Sequence, residues 1–200
     1  MRVMATGLKR LNDYRSWYFE WSRAPGVVKK LTLALGVAAL TGVLAQIYVP
    51  LPFTPVPLTG QVVGVLLAGV LLGGSFGAVS MGIYVLLGLL VVPWFGGGAG
   101  GSFSYLLGPT GGYLLGFIAA AYLVGTVNDR FRWARSFLPR LCVITGGLLI
   151  IYAAGATWLA MVYHLGPVKA IALGVAPFLA VDAIKVGLAA IAGTLLTPRR

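Results

Sequence analysis

The apolar residues of this chain fall into long runs, which short glycine-, proline- or arginine-rich segments interrupt. A helix needs about 20 apolar residues to cross the hydrocarbon core of a bilayer. The pattern predicts six spans, namely 31–49, 61–72, 75–92, 110–127, 141–163 and a last run that ends at Leu196. The second is short, so we expect it to be tilted or extended by its neighbours. Only Gly73 and Gly74 separate the second span from the third, so we expect a helical hairpin there. The sequence therefore predicts an all-α integral membrane protein, a compact bundle of six transmembrane helices with structured outer loops.

Composition supports a membrane environment. Of the 200 residues, 59% are hydrophobic and 10% are charged, and the mean hydropathy is +0.94. A soluble domain of this length carries far more polar surface. The first residues lack the short apolar segment and small-residue cleavage site of a secretory signal peptide, so we expect none.

The basic residues lie in segments that are expected on one side of the membrane. All fifteen lysines and arginines except Lys169 and Lys185 fall in 1–30, 128–140 and 198–200. The positive-inside rule places these segments in the cytoplasm and accounts for the net charge of +11 without nucleic acid. We therefore expect a multi-pass protein of the cell membrane with both termini cytoplasmic. Its outer loops are then 50–60, about 93–109 and about 164–176.

Residues 1–30 form a separate basic and aromatic segment before the transmembrane domain of 31–197 and the tail of 198–200. Leu8, Leu11, Tyr14, Trp17 and Trp21 recur at a spacing of three to four, with Lys and Arg between them. This pattern predicts an amphipathic helix on the anionic lipid of the inner leaflet. A solvated, partly disordered tail is the alternative.

Topology does not explain two charged residues, Asp182 and Lys185, which lie one helical turn apart in the last span. Ionisable groups at membrane depth are costly unless they are paired, and they mark functional sites. One hypothesis is that Asp182 holds the Lys185 ammonium in place to receive an anion from outside. The alternative is a structural ion pair that binds nothing.

Two outer loops have unusual composition. Segment 50–61 carries four prolines and ends in Thr59 and Gln61, so we expect extended, preorganised backbone with a polar end. The second loop is rich in glycine, which suits either a floppy linker or a lid that approaches a ligand closely. Its candidate lid residues are Gly97, Gly98, Gly100 and Gly101. Thr110 follows, either as a ligand contact or as a helix cap.

Aromatic residues near the outer surface are typical of a membrane-interface belt, but some of them could stack on a flat ligand. The candidates are Phe53, Tyr84, Trp94 and Tyr152. Small residues at a spacing of four, among them Ala34 and Ala38, predict close helix packing. The sequence has neither a nucleotide-binding glycine loop nor a His/Cys cluster for a metal, so we expect no cofactor and an energy source on another chain or in an ion gradient.

Four segments resemble the BioY family, the biotin-binding S components of energy-coupling-factor (ECF) transporters. They are VPLTGQ (56–61), GGAGG through GPTGGYLLGF (97–117), IYAAGATWL (151–159) and PFLAVDAIK (177–185). The resemblance implies an S-component fold that captures biotin, and a transmembrane T component with ABC-type ATPases that drive uptake. It also implies that Asp182 and Lys185 are tied to biotin binding, and that Ala34 and Ala38 face the coupling protein.

The chain departs from the family pattern at three places, which are Gly60, Val181 and Ala99. Ala99 stands where some members carry an arginine, which would leave Lys185 as the cation for the biotin carboxylate. Three alternatives remain at this stage. One is an S component for another vitamin, such as thiamine or riboflavin. The second is an intramembrane enzyme that uses Asp182 or His164 as acid or base, and the third is a structural membrane scaffold. The enzyme is disfavoured because no second ionisable group stands beside a nucleophile.

Overall fold

The computed structural model describes Asp13 and residues 26–197. Helices dominate this part of the chain: α1 (Val27–Ala45), α2 (Gln61–Leu90), α3 (Ser104–Leu107), α4 (Gly111–Arg130), α5 (Phe137–Val162), α6 (Pro167–Gly174) and α7 (Leu179–Leu196). Two short strands, β1 (Tyr48–Val49) and β2 (Leu58–Thr59), pair antiparallel. By length and composition, α1, α2, α4, α5 and the joined stretch Pro167–Leu196 can each cross a membrane.

Helix α2 reverses direction at the predicted glycine turn. Gly73 has φ 82° and ψ −178°, a backbone conformation that side chains with a Cβ rarely adopt. The Gln61 amide nitrogen, in the first half of α2, donates a hydrogen bond of 2.6 Å to the Tyr84 hydroxyl in the second half. A straight helix would hold these two residues about 34 Å apart. The halves 61–72 and 74–90 are therefore antiparallel, and α2 supplies two of the six predicted passages.

The α2 hairpin lies at the centre of the bundle and packs against α1, α4 and α7. Small residues let the backbones approach, which is how helices associate in lipid. Ala34 and Ala38 belong to this internal packing, because both are fully buried and the Ser80 hydroxyl donates to the Ala34 carbonyl oxygen at 2.7 Å. The expectation that these two alanines face a coupling protein is therefore wrong, since the chain's own α2 covers them.

The connections separate to two ends of the bundle, as an up-and-down arrangement requires. At one end, the Gly74 amide of the hairpin turn donates to Asp129 at 3.1 Å, and Arg140 in α5 donates to Thr194 in α7 at 3.1 Å. At the opposite end, which we call the loop end, the proline-rich segment is bonded to α6 through Thr54 and Leu173, and the glycine-rich segment lies beside the proline-rich one. The structure thus groups the basic connections apart from the two unusual loops.

Several boundaries differ from the sequence prediction. Helix α1 begins at Val27 rather than at residue 31, and it ends at Ala45 because the following residues turn into β1 before Pro50. The predicted outer loop 164–176 contains α6, which begins with Pro167, a residue preorganised for a first helical turn. Except for Asp13, the proposed amphipathic helix at Leu8–Trp21 lies outside the described residues, and so does the tail 198–200.

Candidate ligand-binding site

A partly polar cavity lies between α2, α4, α5 and α7 near the loop end. The space between its walls is about 550 Å³ when the open region at its mouth is included. Six of the predicted site residues line it: Thr59, Gln61, Thr110, Tyr152, Asp182 and Lys185. The rest of the wall is largely apolar and aromatic. The fold thus brings together residues that are up to 126 positions apart in the sequence.

The charged residues of the cavity wall form one hydrogen-bonded group. The Lys185 ammonium lies 2.6 Å from Asp182 Oδ1, and the Tyr152 hydroxyl donates to Asp182 Oδ2 at 2.7 Å. Asp182 is only 3% exposed and Lys185 only 8%. Each carboxylate oxygen therefore has a donor, which offsets part of the desolvation of the buried pair.

The Lys185 ammonium is the group in this cluster that can bind an anion. An ammonium has three N–H donors, and within residues 26–197 the hydrogen bond found for it goes to Asp182. The remaining donors can serve a ligand on the cavity side. A carboxylate that replaced water there would form a charge-assisted hydrogen bond, which is stronger than a neutral one.

A second polar group lies at the start of α2. The Thr59 hydroxyl donates to the Gln61 amide oxygen at 2.7 Å, and the Gln61 amide nitrogen donates to Tyr84. An amide has two N–H donors and two acceptor lone pairs. Gln61 is thus held in one orientation and still has one donor and one acceptor for a ligand.

The proline-rich segment forms one wall through Val56 and Pro57. The β1–β2 pair closes this segment into a narrow loop. The Thr54 hydroxyl attaches the loop to α6 by donating to the Leu173 carbonyl oxygen at 2.7 Å, and it accepts from the Val56 amide at 3.2 Å. The prediction that the prolines exclude a helix is confirmed between Ala45 and Gln61, although Pro52 and Phe53 form a turn rather than extended backbone.

Three predicted ligand contacts do not line the cavity. Tyr84 is fully buried behind Gln61. The Trp94 indole donates to the Tyr84 carbonyl oxygen at 2.9 Å and stacks on the Tyr84 ring with centroids 5.3 Å apart. Phe53 is 61% exposed on the loop surface. These expectations are corrected: Tyr84 and Trp94 support Gln61 from behind, and Phe53 lies outside the cavity wall.

The glycine-rich loop borders the mouth of the cavity rather than its interior. Gly97, Gly98, Gly100 and Gly101 all have positive φ. Gly98 and Gly100 line a shallow depression that shares Pro57, Tyr105 and Thr110 with the cavity. Thr110 precedes α4, but its side chain makes no capping hydrogen bond. Thr110 thus takes the N-cap position of α4 through its backbone carbonyl oxygen, which accepts from the Tyr113 and Leu114 amides, and not through its side chain.

Sequence reasoning missed three aromatic residues of the wall, Tyr113, Phe117 and Phe178, and it placed Tyr105 only among the outer-surface aromatics. The Tyr113 hydroxyl donates to the Gly174 carbonyl oxygen at 2.6 Å. Burial raises the pKa of the Tyr105 phenol above its ordinary value, so this phenol is neutral at pH 7. The i, i+4 spacing of Tyr113 and Phe117 was a signal that both face the same side of α4.

The fold and the cavity define a multi-pass α-helical membrane protein with a partly polar cavity that opens at the loop end. The comparisons with known proteins identify its family. The model of the BioY family matches residues 12–200. The chain belongs to the BioY family.

Individual relatives agree with this assignment. The chain is 42% identical to a probable biotin transporter BioY of Pyrococcus horikoshii, over 82% of this chain and 93% of the relative. It is 39% identical to the biotin transporter BioY of Thermotoga maritima, over 72% of this chain and 82% of the relative. A crystal structure of the S component for biotin from an ECF-type ABC transporter matches with a TM-score of 0.78 and 28% identity, over 84% of this chain and 90% of that one. The family consists of transporters rather than enzymes and indicates no cofactor.

Proposed function

We propose that this chain is the substrate-binding S component of a biotin transporter. The observation that carries the proposal is the Lys185–Asp182–Tyr152 group on the wall of the cavity at the loop end. This group presents the Lys185 ammonium to the cavity. Apart from Asp182 and Lys185, the residues that line the cavity are apolar or carry uncharged polar groups. A small acid with an apolar body and a neutral polar head fits such a space, and biotin has this chemistry.

The ends of biotin match two polar groups of the cavity. The carboxylate of its valerate tail suits the Lys185 ammonium. Its ureido ring needs donors and acceptors side by side, and Gln61 offers one of each beside Thr59 and Thr110. The apolar wall between these groups includes Tyr113 and Phe178, which suits the sulfur-containing ring and the methylene chain.

Uptake also needs an energy source and an orientation. The sequence carries no nucleotide-binding glycine loop, so a T component and ABC-type ATPases on other chains would supply the driving force. The basic end of the bundle would face the cytoplasm, with both termini there, and the cavity would open outward. Biotin accumulation in cells should therefore require coproduction of the ATPase module. Uptake without any partner would contradict this part of the proposal.

Isothermal titration of the detergent-purified chain tests the ligand. Biotin should give saturable heat at micromolar concentration, whereas thiamine and riboflavin should give none. Those two vitamins lack the acid tail that Lys185 is proposed to hold. Binding of thiamine or riboflavin in place of biotin would favour the S component of another vitamin. An absence of heat with all three would contradict vitamin capture by this cavity.

A further inference from the structure

The connection between α4 and α5 carries a compact surface of arginine and aromatic side chains. Arg130 and Arg132 are exposed, as are Phe131 (42%), Trp133 (56%) and Leu138 (70%). The rings of Phe131 and Trp133 pack with centroids 5.8 Å apart. The cavity does not explain this surface, because it lies at the opposite end of the bundle. We call the exposed side chains of 130–138 the arginine–aromatic surface.

This surface is held in one conformation from within. The Arg135 side chain turns inward and donates from Nε to the Asn128 carbonyl oxygen at 3.2 Å. Arg140 is 1% exposed and donates from Nη2 to Thr197 at 2.6 Å. The two inward arginines fix the connection to α4 and α7, while the two outward arginines face the surroundings. Ligands bind such a surface with little ordering cost.

The surface continues the exposed side of the spanning helix α5. On α5, the exposed positions Leu138, Cys142, Thr145 and Leu149 recur at i, i+4, i+7 and i+11, which is one face of a helix. This face leads directly into the connection. A stripe of this kind lies against lipid tails, so the connection at its end lies at the level of the headgroups. Trp and other aromatic residues prefer this level of the membrane.

The charge of the surface favours an anionic headgroup over a zwitterionic one. Arg130 and Arg132 lie outward, and the nearby acid, Asp129, accepts the Gly74 amide of the hairpin turn. Guanidinium groups bind phosphate through paired N–H donors. In the orientation proposed above, this end faces the inner leaflet, where anionic lipid attracts basic segments.

We propose that the arginine–aromatic surface binds an anionic phospholipid of the adjacent leaflet. Arg130 and Arg132 hold the headgroup phosphate, and Phe131 and Trp133 lie among the upper acyl carbons. This binding fixes the depth of the α4–α5 end in the membrane. It is independent of biotin, so a failure of the proposed ligand would leave it unaffected.

Native mass spectrometry of the full chain tests this assignment. Phosphatidylglycerol and phosphatidylcholine with identical acyl chains are added, and the ratio of their dissociation constants for the first bound lipid is measured. A basic residue near the membrane surface contributes about fivefold to anionic lipid binding. The double variant Arg130→Gln/Arg132→Gln should therefore lower the preference for phosphatidylglycerol by about 25-fold. Lys169→Gln, an exposed cation in α6 at the loop end, should leave the ratio at the wild-type value.

A second variant separates the aromatic contribution from the charge. Trp133→Ala should weaken both lipids by a similar factor and leave their ratio unchanged. An arginine double variant with the wild-type ratio would overturn the proposal. If the double variant keeps the wild-type ratio of the two lipid dissociation constants but no longer copurifies with the ATPase module, the surface is a protein interface, and the proposal is also overturned.

Discussion

The Asp182–Lys185 pair has two separable roles at the scale of single residues. Each charge keeps the other from being an isolated ion in a low-dielectric interior, and the ammonium also faces the cavity. Removing one member of a buried pair costs about 3–5 kcal/mol, whereas replacing both by neutral groups of similar volume is often neutral or stabilising. Stability and ligand binding should therefore respond differently to single and double substitutions.

Substitution of the pair separates these two roles. Asp182→Asn and Lys185→Met should each lower the free energy of unfolding by about 3–5 kcal/mol, because each leaves one charge buried. The double variant should recover most of this loss but should still bind biotin at least tenfold more weakly than the wild type, because the charge-assisted hydrogen bond is missing. Unfolding in detergent and biotin titration give the two readouts, and Lys169→Met serves as the exposed-lysine control. A double variant that binds biotin like the wild type would contradict the role of Lys185.

The sequence predicted the polar part of the site better than its aromatic part. Asp182 and Lys185 are conspicuous because charges within an apolar run are rare. Tyr84 and Trp94 were misplaced because aromatic residues occur throughout such a bundle, and only the tertiary packing decides which ring faces the cavity. The four-residue spacing of Ala34 and Ala38 correctly predicted close helix packing at these positions. The spacing does not say which helix packs there, and the partner proved to be the chain's own α2.

At the scale of elements, the contact between α4 and α5 sets the width of the cavity. Gly155 in α5 lies directly against the Tyr113 ring, and a Cβ there would overlap that ring. Tyr113 in turn lines the cavity and donates to the Gly174 carbonyl oxygen. The absence of a side chain at Gly155 therefore positions the aromatic wall.

The substitution Gly155→Ala tests this packing. It should destabilise the protein by about 1–3 kcal/mol through overpacking and weaken biotin binding, because the Tyr113 ring must move. Gly146→Ala in the same helix is the matched control, since the nearest atom to a Cβ there is Leu123 Cδ2 at 3.9 Å. This control should be neutral or slightly stabilising. Thermal unfolding and titration of both variants check the prediction, which fails if they behave alike.

The helical elements themselves were predictable from hydrophobic run length and the Gly73–Gly74 turn. The β1–β2 pair and α6 were not predicted. Two-residue strands carry no periodic signal, and α6 is short enough to be read as loop. Both elements lie at the loop end, where tertiary contacts such as that between Thr54 and Leu173 fix the backbone.

At the scale of the whole molecule, the two ends differ in chemistry. At one end, the Gly74 amide donates to Asp129, and Arg140 donates to Thr194. The exposed basic residues of the α4–α5 connection lie at this end. The proline and glycine loops at the other end are uncharged. This difference is the physical basis for the proposed orientation.

Single-cysteine labelling tests the orientation in intact cells. In a Cys142→Ala background, a cysteine introduced by Ser102→Cys in the glycine loop should react with a membrane-impermeant maleimide. One introduced by Ser136→Cys in the α4–α5 connection should react only after the membrane is permeabilised. The reverse pattern would place the cavity on the cytoplasmic side and contradict capture from outside.

The most direct test of the central claim compares biotin with its primary amide, titrated into the wild-type chain and into Lys185→Met. The amide has nearly the same shape but no negative charge. If the Lys185 ammonium receives the carboxylate, the wild type should prefer biotin by tenfold or more, as expected for a charge-assisted hydrogen bond worth about 1.5–3 kcal/mol, and the variant should lose that preference. An equal preference for biotin in both proteins would show that another group binds the carboxylate.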